Sequence, residues 1–133
     1  MGEMKGLAHV GVFVSDLERT KAFYRDVLEF DITWECTIDG DDGKPVDIAF
    51  AQNGSVILEL VKFAEPPKRE DGTVDHIAIA VEDIEEVKQR LEARGVAFET
   101  KEIVYNPLVF PQGSKWILFR GPDNEHLELT EVL

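Results

Sequence analysis

The sequence has one cysteine, Cys36, and no apolar run near the ~20 residues that span a membrane. A single thiol excludes a disulfide within the chain and a site built from clustered thiolates. The first residues carry no apolar stretch, so we expect no signal peptide. These absences favour a soluble, cytoplasmic protein that does not bind membranes.

Positive charge is also scarce, since 14 Lys and Arg residues stand against 27 Asp and Glu residues. The resulting net charge of −13 repels phosphate backbones and anionic lipids, so nucleic acid is not an expected partner. The length of 133 residues suits one domain that folds around its own core. We therefore predict a single domain over residues 1–133.

The chain repeats itself at an offset of about half its length. Residues Ala8–Ala22 match Asp75–Gln89, and His9 then coincides with His76. The two halves also end alike, in the sequences ILEL and HLEL, which align Glu59 with Glu128. Self-similarity on this scale indicates two related modules.

Each half predicts a strand, a helix and three further strands. Alternating apolar residues predict a strand over 7–14, and Asp16 begins a helix whose apolar stripe runs to Leu28. Asp83 begins the second helix, and Gly95 is suited to ending it. We expect the remaining strands near 31–38, 45–51, 55–63, 96–104, 114–120 and 125–132. The order predicts an α+β fold of two tandem βαβββ modules, residues 5–64 and 73–133, with small mixed sheets.

The first helix lacks a glycine at its end. At the offset that aligns His9 with His76, Leu28 corresponds to Gly95, and Glu29 rather than a glycine follows it. A glycine-type, left-handed turn at a glutamate costs on the order of 1 kcal/mol.

Two histidines and two glutamates stand at equivalent places in the two halves. In the second module His76 shares a strand face with small residues, and Glu128 lies between two leucines, as does Glu59. A single such His is more often a hydrogen-bonded core residue, and a single such Glu a solvent-facing one. Their joint repetition favours a divalent-metal site, because imidazole nitrogen and carboxylate oxygen together suit Zn, Ni, Co, Fe(II) or Mn.

The segments AHVGVFVSDLERTKAFYRDVL, VILEL, VDHIAIAVEDIE and FRGPDNEHLEL resemble the vicinal oxygen chelate superfamily, which includes glyoxalase I, bleomycin-resistance proteins and extradiol dioxygenases. The resemblance extends from Leu7 to Thr130, with Asn124 where the family usually has Gly. It implies paired βαβββ modules whose sheets surround a metal cleft, and it is closest to glyoxalase I. In that branch the metal ligands fall on His9, Glu59, His76 and Glu128.

The resemblance implies a metal-dependent lyase or isomerase similar to lactoylglutathione lyase. Such an enzyme transfers a proton through a metal-chelated enediolate on a 2-oxoaldehyde–thiol adduct or a similar α-hydroxycarbonyl. Glu128 would be the base and Glu59 its symmetric counterpart. The cofactor would be one divalent metal per site, Ni, Co or Zn, with Mn or Fe as alternatives.

Two positions depart from bacterial glyoxalase I and favour a different thiol adduct. Phe13 stands where that enzyme has a glutathione-binding Arg, and Phe63 where it has an Asn. Two alternatives therefore stay open. One is an isomerase similar to methylmalonyl-CoA epimerase; the other is a thiol transferase or binding protein of the fosfomycin-resistance or antibiotic-resistance type.

The resemblance also suggests a small-molecule pocket and a homodimer. Pocket walls would come from Phe13, Phe50 and Phe63. Lys115 and Arg120 would either hold an anionic substrate group or be ordinary surface charges. His126 would line the pocket, carry a proton, or orient ligands from outside the metal's immediate surroundings.

A further loop, residues 105–115, has several large apolar or aromatic side chains and two prolines. It would close over the pocket as a lid. Alternatively, it would pack on a dimer partner.

Overall fold

A computed structural model describes residues 2–133, and the chain divides into two compact units at the boundary between Lys68 and Arg69. The predicted modules, 5–64 and 73–133, lie one in each unit. Their grouping into a single domain stays a prediction.

The first unit is a four-stranded mixed sheet with one helix. The sheet order is β1-β4-β3-β2, with β1 parallel to β4 and the other neighbours antiparallel. The helix continues past Ala22 as a wider π-helical turn, in which Leu28 N donates to Phe23 O at 3.2 Å. The elements are β1 Val10–Phe13, α1 Leu17–Ala22, the π-helical turn Phe23–Val27, β2 Asp31–Asp39, β3 Pro45–Asn53 and β4 Val56–Lys62.

The second unit repeats this arrangement. Its sheet order is β5-β8-β7-β6, with β5 parallel to β8 and the other neighbours antiparallel. The elements are β5 Ile77–Ala80, α2 Ile84–Ala93, β6 Val104–Asn106, β7 Ser114–Arg120 and β8 His126–Val132. The predicted α+β fold of two βαβββ modules with mixed sheets is confirmed. None of the helices in residues 2–133 is both long and apolar enough to cross a membrane.

The apolar core of each unit contains one face of its sheet together with the helix. In the first unit α1 contacts β3 and β4, and Leu58 and Leu60 are buried on β4. In the second unit α2 contacts β8, where Leu127 and Leu129 are buried. Because side chains alternate along a strand, the residue between each leucine pair lies on the opposite face. That face carries the candidate glutamates.

Both predicted helix starts are confirmed. The Asp16 carboxylate accepts a hydrogen bond from Arg19 N at 3.1 Å, and the Asp83 carboxylate accepts one from Glu86 N at 3.3 Å. The helix ends also agree with the expectation, since Gly95 has φ +93°. Glu29 takes the same left-handed conformation, with φ +66°.

The predicted strand over 96–104 is wrong. Before Val104 the segment forms only an isolated bridge between Phe98 and Phe119, and the short strand β6 begins at Val104, the last residue of the predicted range. Leu118 N donates to the Thr100 hydroxyl at 3.1 Å, while Leu118 O accepts from Glu99 N at 2.8 Å. A threonine side chain thus replaces a backbone acceptor and interrupts the ladder.

Asn124 explains one departure from the family pattern. It has φ +65° in the turn before β8. Glycine is the usual residue for that conformation, and asparagine is among the residues that tolerate it best.

Candidate metal centre

The first His–Glu pair is built by two parallel neighbouring strands. Gly11 on β1 is in register with Glu59 on β4, and His9 lies two residues before Gly11 on the same face. His9 Nε2 is 3.7 Å from Glu59 Oε1, with the side chains 42% and 26% exposed. A Cβ at Gly11 would lie 3.9 Å from Glu59 Oε1, which is an ordinary van der Waals contact, so alanine would fit there without a clash.

Aromatic rings border this first pair. Phe50 on β3 is the register partner of Glu59, and its ring packs edge-on against His9 with 5.7 Å between centroids. The rings of Phe13 and Phe63 meet at 5.1 Å. Phe50 and Phe63 also pack against a buried cluster of Val46, Ile48 and Val61. Of the three predicted pocket phenylalanines, Phe50 therefore contacts the first pair, whereas Phe13 and Phe63 contact each other, and Phe13 is exposed.

The second His–Glu pair repeats the geometry on β5 and β8. Ala78 is in register with Glu128, and His76 lies two residues before Ala78. His76 Nε2 is 3.3 Å from Glu128 Oε2, with the side chains 39% and 15% exposed. The Thr130 hydroxyl donates a hydrogen bond to Glu128 Oε1. The two carboxylate oxygens of Glu128 thus have different partners.

Asp75 contacts the ring nitrogen of His76 that does not face Glu128. Its Oδ2 is 2.9 Å from His76 Nδ1, and this hydrogen bond holds the pKa of Asp75 below its usual value. An ionised carboxylate can only accept, so His76 Nδ1 must carry the proton. The other ring nitrogen, Nε2, faces Glu128.

Asp75 is not among the site residues predicted from the sequence. One sequence feature could have pointed to it: an acidic residue directly precedes His76, whereas Ala8 precedes His9. Carboxylates that accept from the second nitrogen of a metal-ligating histidine are a general feature of metal sites.

His126 lies inside the second unit, with a side chain only 10% exposed. Its Nδ1 is 3.2 Å from Asp75 Oδ2 and its Nε2 is 3.7 Å from Glu99 Oε1. Within residues 2–133, neither nitrogen makes an aligned hydrogen bond. The ring meets that of His76 at 6.0 Å between centroids. This position is next to a candidate ligand; the pocket, proton-carrier and orienting roles stay predictions.

The two candidate substrate cations are bonded to carboxylates of the chain. Lys115 Nζ is 2.9 Å from Glu85 Oε1. Arg120 binds Asp71 at 2.7 Å, as well as Glu99, and its guanidinium holds the pKa of Asp71 below its usual value. A substrate anion would have to compete with these ion pairs.

The predicted loop 105–115 includes the end of β6 and the start of β7, and it displays its apolar side chains. Tyr105 on β6 is exposed, as are Leu108, Val109 and Phe110 in the loop that follows. Exposure of this kind agrees equally with a lid and with a surface for a dimer partner, so both readings of residues 105–115 stay predictions.

The four predicted ligands lie as one pair in each unit. Within residues 2–133 no three His, Cys, Asp or Glu side chains form a group suited to holding a metal ion. Each pair offers one imidazole nitrogen and one carboxylate oxygen, which fits the donor preferences of Zn, Ni, Co and Mn. Each pair therefore suits one half of the predicted site, and the assembly of all four ligands stays a prediction.

Known proteins share both the sequence pattern and the fold. The chain is 32% identical over 132 residues to the uncharacterized protein YwkD of Bacillus subtilis (strain 168), covering 96% of this chain and 98% of the relative. A glyoxalase family protein from Enterococcus faecalis superposes with a TM-score of 0.76 at 28% identity, covering 96% and 98% of the two chains.

The fosfomycin resistance protein FosX from Listeria monocytogenes, complexed with Mn(II) and sulfate, shares the fold. Its TM-score is 0.69 at 19% identity, with 98% and 95% of the chains covered. The model of the Glyoxalase/Bleomycin resistance protein/Dioxygenase superfamily matches residues 6–129. With two βαβββ units and a His–Glu pair in each, the chain belongs to this superfamily.

Proposed function

We propose that this protein is a metal-dependent lyase or isomerase of the glyoxalase I type, active in the cytoplasm. Its substrate would be a 2-oxoaldehyde–thiol adduct or a similar α-hydroxycarbonyl, in which a proton moves between adjacent carbons. The observation that carries the proposal is the His–Glu pair that each unit places on one sheet face, at 3.7 and 3.3 Å. A carboxylate that is not paired with a cation is expensive to bury, and a metal would supply that cation.

His9, Glu59, His76 and Glu128 would together hold one divalent metal ion, Ni, Co or Zn, with Mn or Fe as alternatives. Such an ion supplies Lewis-acid polarisation of the substrate's adjacent oxygens. The structure of FosX with Mn(II) supports a divalent metal in a protein of this fold.

We assign the role of base to Glu128 and the symmetric role to Glu59. The Oε1 atom of Glu128 accepts a hydrogen bond from Thr130, which leaves Oε2 as the atom that would take the proton. Glu59 is more exposed and has no equivalent hydroxyl nearby, since Val61 occupies the place of Thr130. A positioned carboxylate that moves a proton contributes roughly 10²- to 10⁴-fold to a rate.

Phe13, Phe50 and Phe63 support an apolar or aromatic thiol adduct rather than glutathione. Edge-to-face rings near the first His–Glu pair favour contact with apolar substrate surface. The apolar side chains exposed on the 105–115 loop support assembly as a homodimer.

The first experiment measures metal content and turnover. The wild-type protein, purified without chelator, should hold about one divalent metal per chain and turn over a methylglyoxal–thiol adduct with Ni, Co or Zn. Glu128→Gln should lower kcat by about 100-fold or more. Glu102→Gln, which removes an exposed carboxylate elsewhere in the second unit, should leave kcat within about twofold.

Failure to take up Ni, Co, Zn or Mn would overturn the proposal and favour a binding protein. Two other results would redirect it. Turnover of fosfomycin with a thiol would indicate the thiol-transferase alternative, which the likeness to FosX makes worth testing. Epimerisation of an acyl-CoA would indicate the CoA alternative, although Lys115 and Arg120 are already paired with carboxylates.

A further inference from the structure

The two His–Glu pairs have different surroundings. In the second unit both members have an outer hydrogen-bond partner, Asp75 for His76 and Thr130 for Glu128. We propose that Asp75 is a positioning residue that fixes His76 as a metal ligand, so that the second unit presents its half of the site prearranged. This inference rests on the proposed function and adds to it a residue outside the four ligands.

Asp75 constrains His76 in two ways. It selects the Nδ1–H tautomer, which frees Nε2 as the ligand atom, and it limits rotation of the ring about its bond to Cβ. The Asp75 Oδ2 atom also lies 3.2 Å from Nδ1 of the buried His126, although the two atoms do not form an aligned hydrogen bond. A His76 ring that is already oriented loses less entropy when it binds a metal ion.

The first unit has no counterpart of Asp75 next to its histidine. Ala8 stands in the place of Asp75 and Val61 in that of Thr130. The His9 ring contacts Phe50 edge-on and lies 3.7 Å from Glu59, and within residues 2–133 it has no carboxylate behind it. Ring orientation and tautomer at His9 are therefore less constrained than at His76.

The test is a Co(II) titration followed by visible absorption, which reports both affinity and ligand geometry. Asp75→Asn retains an acceptor but loses the charge, whereas Asp75→Ala loses both. We expect affinity to fall by about 10- to 100-fold in Asp75→Ala, with Asp75→Asn between it and the wild type. The matched control Asp71→Ala removes an equal charge that binds Arg120 instead, and its affinity should stay within about twofold of wild type.

A second measurement separates positioning from a purely structural role. In the zinc-loaded protein, ¹⁵N-edited NMR of the imidazoles should show a protected Nδ1–H at His76 and an unprotonated Nε2. That signal should weaken in Asp75→Asn even where thermal unfolding matches the wild type. Because Asn is nearly isosteric with Asp, this variant decides the question if Asp75→Ala does not fold.

Two failures are distinguishable. A wild-type protein that binds no Co(II) contradicts the proposed function itself. A wild-type protein that binds Co(II), together with an Asp75→Asn variant of equal affinity and unchanged His76 signals, overturns the role of Asp75 and leaves the proposed function intact.

Discussion

At the scale of single residues, Asp75 and Thr130 each contact one polar atom of a candidate metal ligand and leave the other polar atom of that ligand accessible. The Asp75 carboxylate contacts one ring nitrogen of His76, and the other ring nitrogen faces Glu128. Thr130 occupies one oxygen of Glu128 in the same way. Under the proposed function, metal binding and proton transfer would depend on these neighbours as well as on the His76 and Glu128 side chains themselves.

Glu29 illustrates a residue-scale cost that the sequence predicted. Its φ of +66° disfavours any side chain, and its carbonyl accepts from Asn53 Nδ2 at 3.1 Å, which holds the turn in place. Glu29→Gly should be more stable than Glu29→Ala by about 1 kcal/mol, because both lose the side-chain contacts and only alanine keeps the strain. Urea denaturation of the two variants measures the difference. Equal stability, or a more stable alanine variant, would contradict this account.

At the scale of elements, the connection from β6 to β7 depends on one close approach of two backbones. Gly113 is buried with φ +88°, and a Cβ there would lie 2.9 Å from both Asn106 O and the Pro107 Cα. Leu133 N also donates to Gly113 O at 3.0 Å. The absence of a side chain at Gly113 therefore lets the exposed apolar loop close back onto β7.

Gly113→Ala should destabilise the protein by roughly 2–4 kcal/mol, since it adds a backbone clash to conformational strain. Gly95→Ala is the matched control. Its φ is also positive, +93°, but nothing lies within 4 Å of a Cβ there, so it should cost only about 1 kcal/mol. Differential scanning calorimetry compares the two variants. A cost at residue 113 no larger than at residue 95 would show that the close approach is unimportant.

For the whole molecule, the excess of carboxylates decides how stability responds to acid. Hydrogen bonds from Arg120 and Lys115 lower the pKa values of Asp71 and Glu85 from their ordinary 3.8 and 4.5. The unfolded chain consequently binds these protons at higher pH than the folded chain does. The stabilising contribution is present above the ordinary pKa values and is lost as the pH falls through the folded ones.

We therefore expect the free energy of unfolding to fall as the pH drops below about 4.5. Above about pH 4.5, a falling pH has the opposite effect on the free energy of unfolding. Protonation of some carboxylates there reduces the repulsion within a chain whose net charge is −13, and so stabilises the folded state. The double variant Asp71→Asn, Glu85→Gln should be less stable than the wild type at pH 7 and should lose stability less steeply in acid. Denaturant titrations at a series of pH values test this. An unchanged slope in the double variant would exclude these two ion pairs as the cause.

The sequence by itself determined the two-module fold and the helix starts. These features depend on local periodicity, capping and repetition, which can be recognised from the order of residues in the chain. The sequence also singled out His9, Glu59, His76 and Glu128 as repeated pairs, because a repeat can be recognised without knowing any distance between atoms.

Tertiary structure alone decided the partners of those side chains. The interrupted strand over 96–104, the pairing of Arg120 with Asp71 and the burial of His126 beside Asp75 all involve residues distant in the chain. Asp75 shows the difference most clearly, since an acidic residue before a histidine has no assigned role until the fold brings its oxygen to Nδ1. Short-range patterns fix elements, whereas hydrogen bonds between elements depend on packing that no local pattern contains.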